Sequence, residues 1–215
     1  MIKTKRLPLK GLCNARDLGG FPCEGGLTRY GAFIRSEVPH RITDEDVAFL
    51  LAYGLTTSLD LRGKLESEEP PSRLRELEGH RYFLCPMVDD TAAAGSGPRP
   101  GSELELKEID WRPVYIGMSE RGKAWVKRTL ELAAEAEGCV LYHCFTGKDR
   151  TGLFTALLLG LCGVEKRDIM GDYSLSMSNL RPFYEAMPHP EGMAPTKEDM
   201  LTGFYRTDQV SHGSI

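Results

Sequence analysis

Cys139-Val140-Leu141-Tyr142-His143 is an unbroken apolar stretch of the length a buried strand has, and seven residues later the chain enters a second one, Thr151–Leu161, long enough for a helix. A buried strand, a short glycine-containing loop and a buried helix in that order belong in a layered α/β structure, with the strand inside a sheet and the helix packed on its face. The rest of the chain agrees. Ala32–Arg35, Thr56–Leu61 and Arg81–Cys85 read as further strands. Thr43-Asp44-Glu45-Asp46 opens a helix in a capping-box-like pattern, with Thr43 as N-cap and Gly54 as the stop after about Tyr53. A short acidic helix is expected near Lys64–Glu69, ended by Pro70-Pro71. An amphipathic helix is expected over Ser119–Glu137 with Gly138 as its stop, followed by helices at Glu165–Met177 and about Asn179–Ala186.

At 215 residues the chain suits one domain spanning 1–215. Lys and Arg number 27 against 31 Asp and Glu, a formal charge of −4. No global positive field therefore exists to hold nucleic acid or an anionic membrane, and any anion must be bound locally. The six cysteines, at 13, 23, 85, 139, 144 and 162, include no C-x-x-C pair, which fits neither a zinc ribbon nor a redox dithiol. Reduced thiols in a cytoplasmic compartment are expected. The N-terminus, Met1 to Pro8, is basic with no apolar stretch after it, so it does not read as a secretory signal. The longest apolar run, about Leu153 to Val164, is too short to cross roughly 30 Å of hydrocarbon, and no stable membrane insertion is expected. Thr91–Gly101 is Ala, Gly, Ser and Pro with little else and reads as a surface loop. Nothing in the sequence sets an oligomeric state.

The spacing of Cys144 and Arg150 across the strand–helix junction has a chemical reading. A loop that turns successive N–H groups inward makes a nest for three phosphate oxygens, and the start of the following helix adds partial positive charge. Gly147 permits positive φ and close approach of an anion, while Arg150 can grip two oxygens in parallel. The candidate phosphate-binding set is Cys144, Phe145, Thr146, Gly147, Lys148, Asp149 and Arg150. The same dipoles favour the thiolate of Cys144, a ready nucleophile for in-line attack on phosphorus to give a phosphocysteine that water then hydrolyses. Thr151 can donate its hydroxyl to the departing sulfur and His143 can orient the loop from behind; no metal or other cofactor is called for. A general acid must protonate the leaving oxygen, and two candidates exist: Asp149 in the loop, and Asp89, with Asp90 beside it, after the strand ending at Cys85. A nucleotide-hydrolase P-loop is excluded, because Gly147-Lys148 is followed by Asp149 and lacks the preceding Gly-x4 spacing. His143 with Cys139, Cys144 and Cys162 matches no usual zinc spacing.

His143-Cys144, five residues, Arg150-Thr151-Gly152 resembles the signature of the protein tyrosine phosphatase superfamily, and Gly147-Lys148-Asp149-Arg150 is similar to its bacterial atypical tyrosine and lipid phosphatases. Four further blocks resemble that subgroup: Asn14-Ala15-Arg16-Asp17-Leu18-Gly19-Gly20, Phe33-Ile34-Arg35-Ser36, Asp60-Leu61-Arg62 with Glu66, and Asp168-Ile169 with Asp172-Tyr173 and Ser176. The resemblance implies a tyrosine phosphatase-like α/β fold, a central sheet flanked by helices with the phosphate loop between a strand and a helix. It implies a cysteine-dependent phosphomonoester hydrolase, most simply a protein tyrosine phosphatase, whose partner is a phosphorylated protein or a phosphoinositide. In the subgroup the acid lies within the loop, which favours Asp149 over Asp89, and Lys148 makes the pocket basic enough to keep phosphoinositides among the substrates. Residues 88–118 are too few for an extended helical lid. A non-catalytic phosphate-binding module is the rival of another class, but its usual mark is loss of the Cys or the Arg. Structural roles are expected for Arg16 and Asp17, as an ion pair fixing a turn under the loop, for Asp60 and Arg62 as scaffold, and for Cys139 and Cys162 as core thiols. Cys85 is expected to be a buried thiol, with a reversible disulfide to Cys144 as the sharper alternative.

Overall fold

The computed structural model describes residues 5–87, 116, 117, 120 and 122–186. Asp89, Asp90, the expected surface loop at 91–102 and most of the stretch judged too short for a lid lie outside the described residues.

The frame is a five-stranded sheet of order β1-β4-β7-β5-β6, made of β1 (Arg16–Asp17), β4 (Phe33–Ser36), β7 (Cys139–His143), β5 (Leu55–Asp60) and β6 (Arg81–Leu84). The last four run parallel, and only β1 is antiparallel to its neighbour. A separate hairpin pairs β2 (Pro22–Cys23) with β3 (Gly26–Leu27). The helices are α1 (Asp44–Tyr53), α2 (Lys64–Glu68), α3 (Lys123–Ala134), α4 (Asp149–Leu161) and α5 (Lys166–Ala186), with a 3-10 turn at Arg73–Glu76. The expected α/β architecture, a central sheet flanked by helices, is the one observed.

Period-two alternation in β7 builds both cores at once. Val140 and Tyr142 join Leu59, Trp125, Phe154 and Leu159 on the face covered by α3 and α4. Cys139 and Leu141 join Ile34, Leu50, Tyr53 and Leu55 on the face covered by α1, with Leu7, Leu9 and Leu12 of the N-terminal segment. Every residue of β7 is buried, as a strand with helices on both faces requires. The register places Ser36 and Asp60 on either side of His143, so the chain leaves β4, β5 and β7 at the same edge of the sheet. That edge carries the loop after His143.

Several expectations are met in detail. Thr43 Oγ1 accepts from Asp46 N at 3.1 Å and the Asp46 carboxylate accepts from Thr43 N at 3.0 Å, a complete capping box. Gly54 ends α1 at φ 103°, a conformation open to glycine. Others need correction. Ser178 does not divide two helices; Asp172, Ser176, Leu180 and Phe183 form one buried stripe that continues through it, and α5 is a single helix with Pro182 inside. Helix α3 ends at Ala134, and Gly138 is no left-handed stop. It is required because a Cβ there would lie 2.5 Å from Thr56 Cγ2. Cys139 is a core thiol, but Cys162 is exposed, since it follows the last turn of α4, where Gly160 and Leu161 are exposed as well.

The expected Arg16–Asp17 ion pair is not formed. Adjacent strand residues face opposite ways, and each finds its own partners. Asp17 accepts from Gly19 N at 2.6 Å, Gly31 N at 2.7 Å and Tyr53 Oη at 2.7 Å. Arg16 reaches α5, donating Nε to Asp172 Oδ1 at 2.8 Å and Nη2 to Ser176 Oγ at 2.8 Å. Arg35 donates Nη1 to Asp172 Oδ2 at 2.6 Å. One buried carboxylate thus faces two buried guanidinium groups. Burial, then repulsion from Arg35, lowers Arg16 to about 10. Burial opposes the charge on Asp172, but Arg35 and Arg16 outweigh it and hold its carboxyl below the usual carboxylate range. Asp172→Ala would strand both guanidinium groups, and urea unfolding should show a loss of about 3–5 kcal/mol, the cost of breaking a buried ion pair from one side.

Candidate active site

Strand β7 delivers Cys144 to the sheet edge and α4 begins five residues on, at Asp149. Cys144 is 2% exposed. The loop between them can bend so sharply because Gly147 sits at φ 70° against the neighbouring strand end, where a Cβ would lie 2.2 Å from Ser36 O.

The loop carbonyls show how the backbone is turned. Cys144 O faces His143 Nδ1 at 3.0 Å, and Phe145 O accepts from Val38 N at 2.9 Å. Thr146 O accepts from Asn14 Nδ2 at 3.1 Å. Gly147 O accepts from Asn14 Nδ2 at 3.2 Å and from Arg35 Nη2 at 2.8 Å. Lys148 O accepts from Gly152 N at 2.7 Å within the first turn of α4. All five carbonyls from 144 to 148 are met by donors outside the loop. A trans peptide sets each N–H opposite the preceding carbonyl, so the N–H groups of residues 145–149 point away from these donors. An oxyanion cradle needs a nest of this kind.

His143 lies fully buried beneath the loop, with Nδ1 between two acceptors, Cys144 O and, at 3.7 Å, Asp60 Oδ1. Burial lowers its pKa despite the opposing pull of Asp60, and because the Cys144 carbonyl can only accept, Nδ1 is the donor. The expectation that it orients the loop from behind agrees with this bond. Asp60 is the hub on this side. Burial pushes its carboxyl up, but His143, Arg62 and Tyr82 together bring it below the ordinary range. Its partners are Arg62 Nη2 at 2.7 Å and Tyr82 Oη at 2.6 Å. The other end of Arg62 donates to Glu66 O at 3.2 Å and Pro70 O at 2.8 Å, tying α2 to the sheet. Asp60 and Arg62 are scaffold, as expected.

Helix α2 in turn holds Arg150. Glu66 takes both arms of its guanidinium, Nη1 to Oε2 at 2.5 Å and Nη2 to Oε1 at 2.6 Å, a parallel fork that fixes the plane of the group. Burial works against the charge on Arg150, but the fork with Glu66 and the attraction of Cys144 raise its pKa.

The remaining candidates lie on the first turn of α4 and its approach. Asp149 is the first helical residue, with 42% of its side chain exposed; Oδ1 accepts from Tyr173 Oη at 3.2 Å and lies 3.9 Å from Lys148 Nζ. Lys148, expected to make the pocket more basic, is 3% exposed, with Nζ 5.9 Å from the centroid of the Tyr173 ring where α5 packs over that side of the loop. Thr151 is buried, and its hydroxyl oxygen has no hydrogen-bond partner among the described residues, so it is uncommitted. Phe145 turns its ring to Phe183 of α5 at 6.0 Å. Cys85 packs in the same apolar cluster as Cys144 without a disulfide between them, and burial pushes its thiol up to about 11.

Four contributors to this geometry were given no site role from sequence: Asn14, Arg35, Val38 and Glu66. Asn14, Arg35 and Glu66 stand in blocks recognised as familiar, which was the available signal. Val38 acts through its peptide N–H, which leaves no mark in the side-chain pattern.

The model of the tyrosine phosphatase family matches residues 7–214. A tyrosine-protein phosphatase of Nostoc commune is 29% identical over 192 residues, covering 86% of this chain and 63% of its own length. The triple specificity protein phosphatase PtpB of Mycobacterium tuberculosis is 28% identical over 190 residues, covering 77% of this chain and 67% of its own. The chain thus spans about two thirds or less of these relatives. Among solved structures, P. aeruginosa TpbA aligns with a TM-score of 0.38 and 17% identity, over 80% of this chain and 86% of that one. With that family match running across the cradle and nearly the whole chain, the chain belongs to the tyrosine phosphatase family.

Proposed function

We propose that the protein is a cysteine-dependent phosphomonoester hydrolase, in its simplest form a protein tyrosine phosphatase of the bacterial atypical tyrosine and lipid phosphatase kind. One observation supports the reading: a cysteine at the end of the central strand, in a loop whose five carbonyls all meet donors outside it, with Arg150 in the first turn of the following helix.

In this reading phosphate oxygens occupy the nest and Arg150 spans two of them. Cys144 Sγ attacks phosphorus in line, and the bond from phosphorus to the leaving oxygen breaks as Asp149 gives that oxygen its proton. The carboxylate of Asp149 then takes a proton from water as the water oxygen attacks the phosphocysteine, and the sulfur leaves as thiolate, accepting from the uncommitted hydroxyl of Thr151. The cradle and Arg150 supply the positive charge, so the chemistry needs no metal. Phosphotyrosine is the favoured substrate class, because Lys148 is packed against Tyr173 rather than extended toward a second phosphate. Phosphoinositide, the alternative substrate class, is the comparison arm of the substrate assay.

The deciding experiment is a stopped-flow burst with an aryl phosphate: one equivalent of phenol per protein, with a phosphocysteine trapped at position 144 by acid quench. Cys144→Ser should lower kcat on the order of 10³-fold or more while keeping phosphate binding; retained turnover would mean a different mechanism. Arg150→Ala should cost about 10²–10³-fold in kcat/KM and lose phosphate binding as well. Glu66→Gln offers one acceptor to a guanidinium that needs two, and kcat/KM should drop about tenfold, as for one charge-assisted hydrogen bond. Asp149→Asn should slow esters of poorly acidic alcohols far more than esters of acidic phenols. An equal loss across the leaving-group series would remove Asp149 as the acid and return attention to Asp89.

A further inference from the structure

The polarity of the phosphate loop depends on residues far from it in sequence, and Asn14 and Arg35 each donate to two of its carbonyls. Asn14 is fully buried, and its amide NH2 is the donor to Thr146 O and one of two donors to Gly147 O, at 3.1 and 3.2 Å. The opposite side of the amide is committed too: Oδ1 accepts from Arg16 Nη1 at 2.6 Å and from Asn179 Nδ2 at 3.4 Å. This fixes which end of the amide is the donor, since a guanidinium can face only an acceptor.

The backbone of Asn14 is fixed by a second buried group. Glu37, 2% exposed, follows directly on β4, and its carboxylate accepts from Asn14 N at 3.0 Å and from Cys13 N at 2.6 Å and Cys13 Sγ at 3.1 Å. The segment that carries Glu37 also touches the loop, through Val38 N on Phe145 O and through the close approach of Ser36 O and Glu37 N to Gly147. Burial raises the pKa of Glu37 against the lowering effect of these donors. A buried carboxylate with so many donors gathered on one turn fixes a backbone in place; it does not face a substrate.

We propose that Asn14, held by Glu37, is a positioning residue that sets the orientation of the 146–147 and 147–148 peptides and so the affinity of the loop for a phosphoryl group. Without the Asn14 NH2, Thr146 O loses its one recorded donor, and the peptide can relieve this only by turning, which removes the N–H of Gly147 from the nest. The inference rests on the phosphatase reading for its biological meaning, but its test does not require turnover.

The test is isothermal calorimetry of inorganic phosphate on the full chain. Asn14→Asp is nearly isosteric, keeps the acceptor for Arg16 and Asn179, and replaces only the NH2 by an oxygen that faces two carbonyls. Its phosphate Kd should rise by about tenfold or more, the scale of a buried acceptor left unsatisfied, and in turnover the loss should appear in KM for an aryl phosphate more than in kcat. Glu37→Gln, which keeps one acceptor for several donors, should weaken phosphate in the same direction by less. The double variant should be no weaker than Asn14→Asp, because both act through one amide. A folded Asn14→Asp that binds phosphate like the parent overturns the proposal, as do additive losses in the double variant. Should Asn14→Asp fail to fold, an unchanged phosphate Kd in Glu37→Gln overturns it instead. A parent that binds phosphate without hydrolysing aryl phosphate would sink the phosphatase reading and leave this inference standing.

Discussion

A loop that presents its peptide N–H groups to an anion must throw its carbonyls the other way, and those carbonyls lie inside the protein where water cannot satisfy them. The surroundings of residues 144–148 answer that demand. A histidine ring, a backbone N–H, an amide and a guanidinium each take one or two carbonyls. They come from β7 itself, from the turn after β4, from the N-terminal segment and from β4, all gathered at one edge by the parallel register of Ser36, His143 and Asp60. The sheet serves the site by bringing these donors behind one short loop. The same requirement accounts for Arg16, Arg35 and Asp172, because an arginine that is to donate to a buried carbonyl needs a counter-charge, and α5 supplies it.

Electrostatics follow a similar division. The chain as a whole carries −4, yet two buried guanidinium groups beside the loop share one carboxylate, and Arg150 at the start of α4 is forked by Glu66. Net charge governs the long-range field, which salt screens over roughly 10 Å. Charges and dipoles at the loop act at short range in a poorly screened interior. An acidic protein can therefore hold a dianion at one spot without attracting polyanions to its surface.

How much of this could be read beforehand depended on the kind of interaction. Strand β7, α4, the capping box at Thr43 and the stop at Gly54 were legible because each rests on local pattern: apolar runs, a hydroxyl three residues from a carboxylate, a glycine where φ is positive. The strand–loop–helix junction that carries Cys144 and Arg150 was legible for the same reason. What was not legible depends on where a side chain points after folding. Arg16 and Asp17 are neighbours of opposite charge, and sequence invites pairing them, but a strand sends them to different cores. Lys148 reads as a basic lip of the pocket, and the packing of Tyr173 from α5 turned it into a buried residue. Ser178 reads as a break only when the buried stripe from Asp172 to Phe183 is not seen as continuous.

Asp60 shows why the scaffold residues cannot be separated from the candidate chemistry. It ends β5 opposite His143, and this pairing puts its carboxylate within reach of the ring that bonds Cys144 O. Through Arg62 the same carboxylate anchors α2, and α2 carries the Glu66 that forks Arg150. One buried charge thus orients the floor of the cradle on one side and its cationic wall on the other. A neutral residue of the same shape at position 60 would leave Arg62 buried without a counter-charge, which in a low-dielectric interior costs more than the lost hydrogen bonds alone. The arginine would have to move, and α2, with Glu66 and the plane of Arg150, would move with it. The Cys144 end and the Arg150 end of the loop are therefore set by a common group that touches neither.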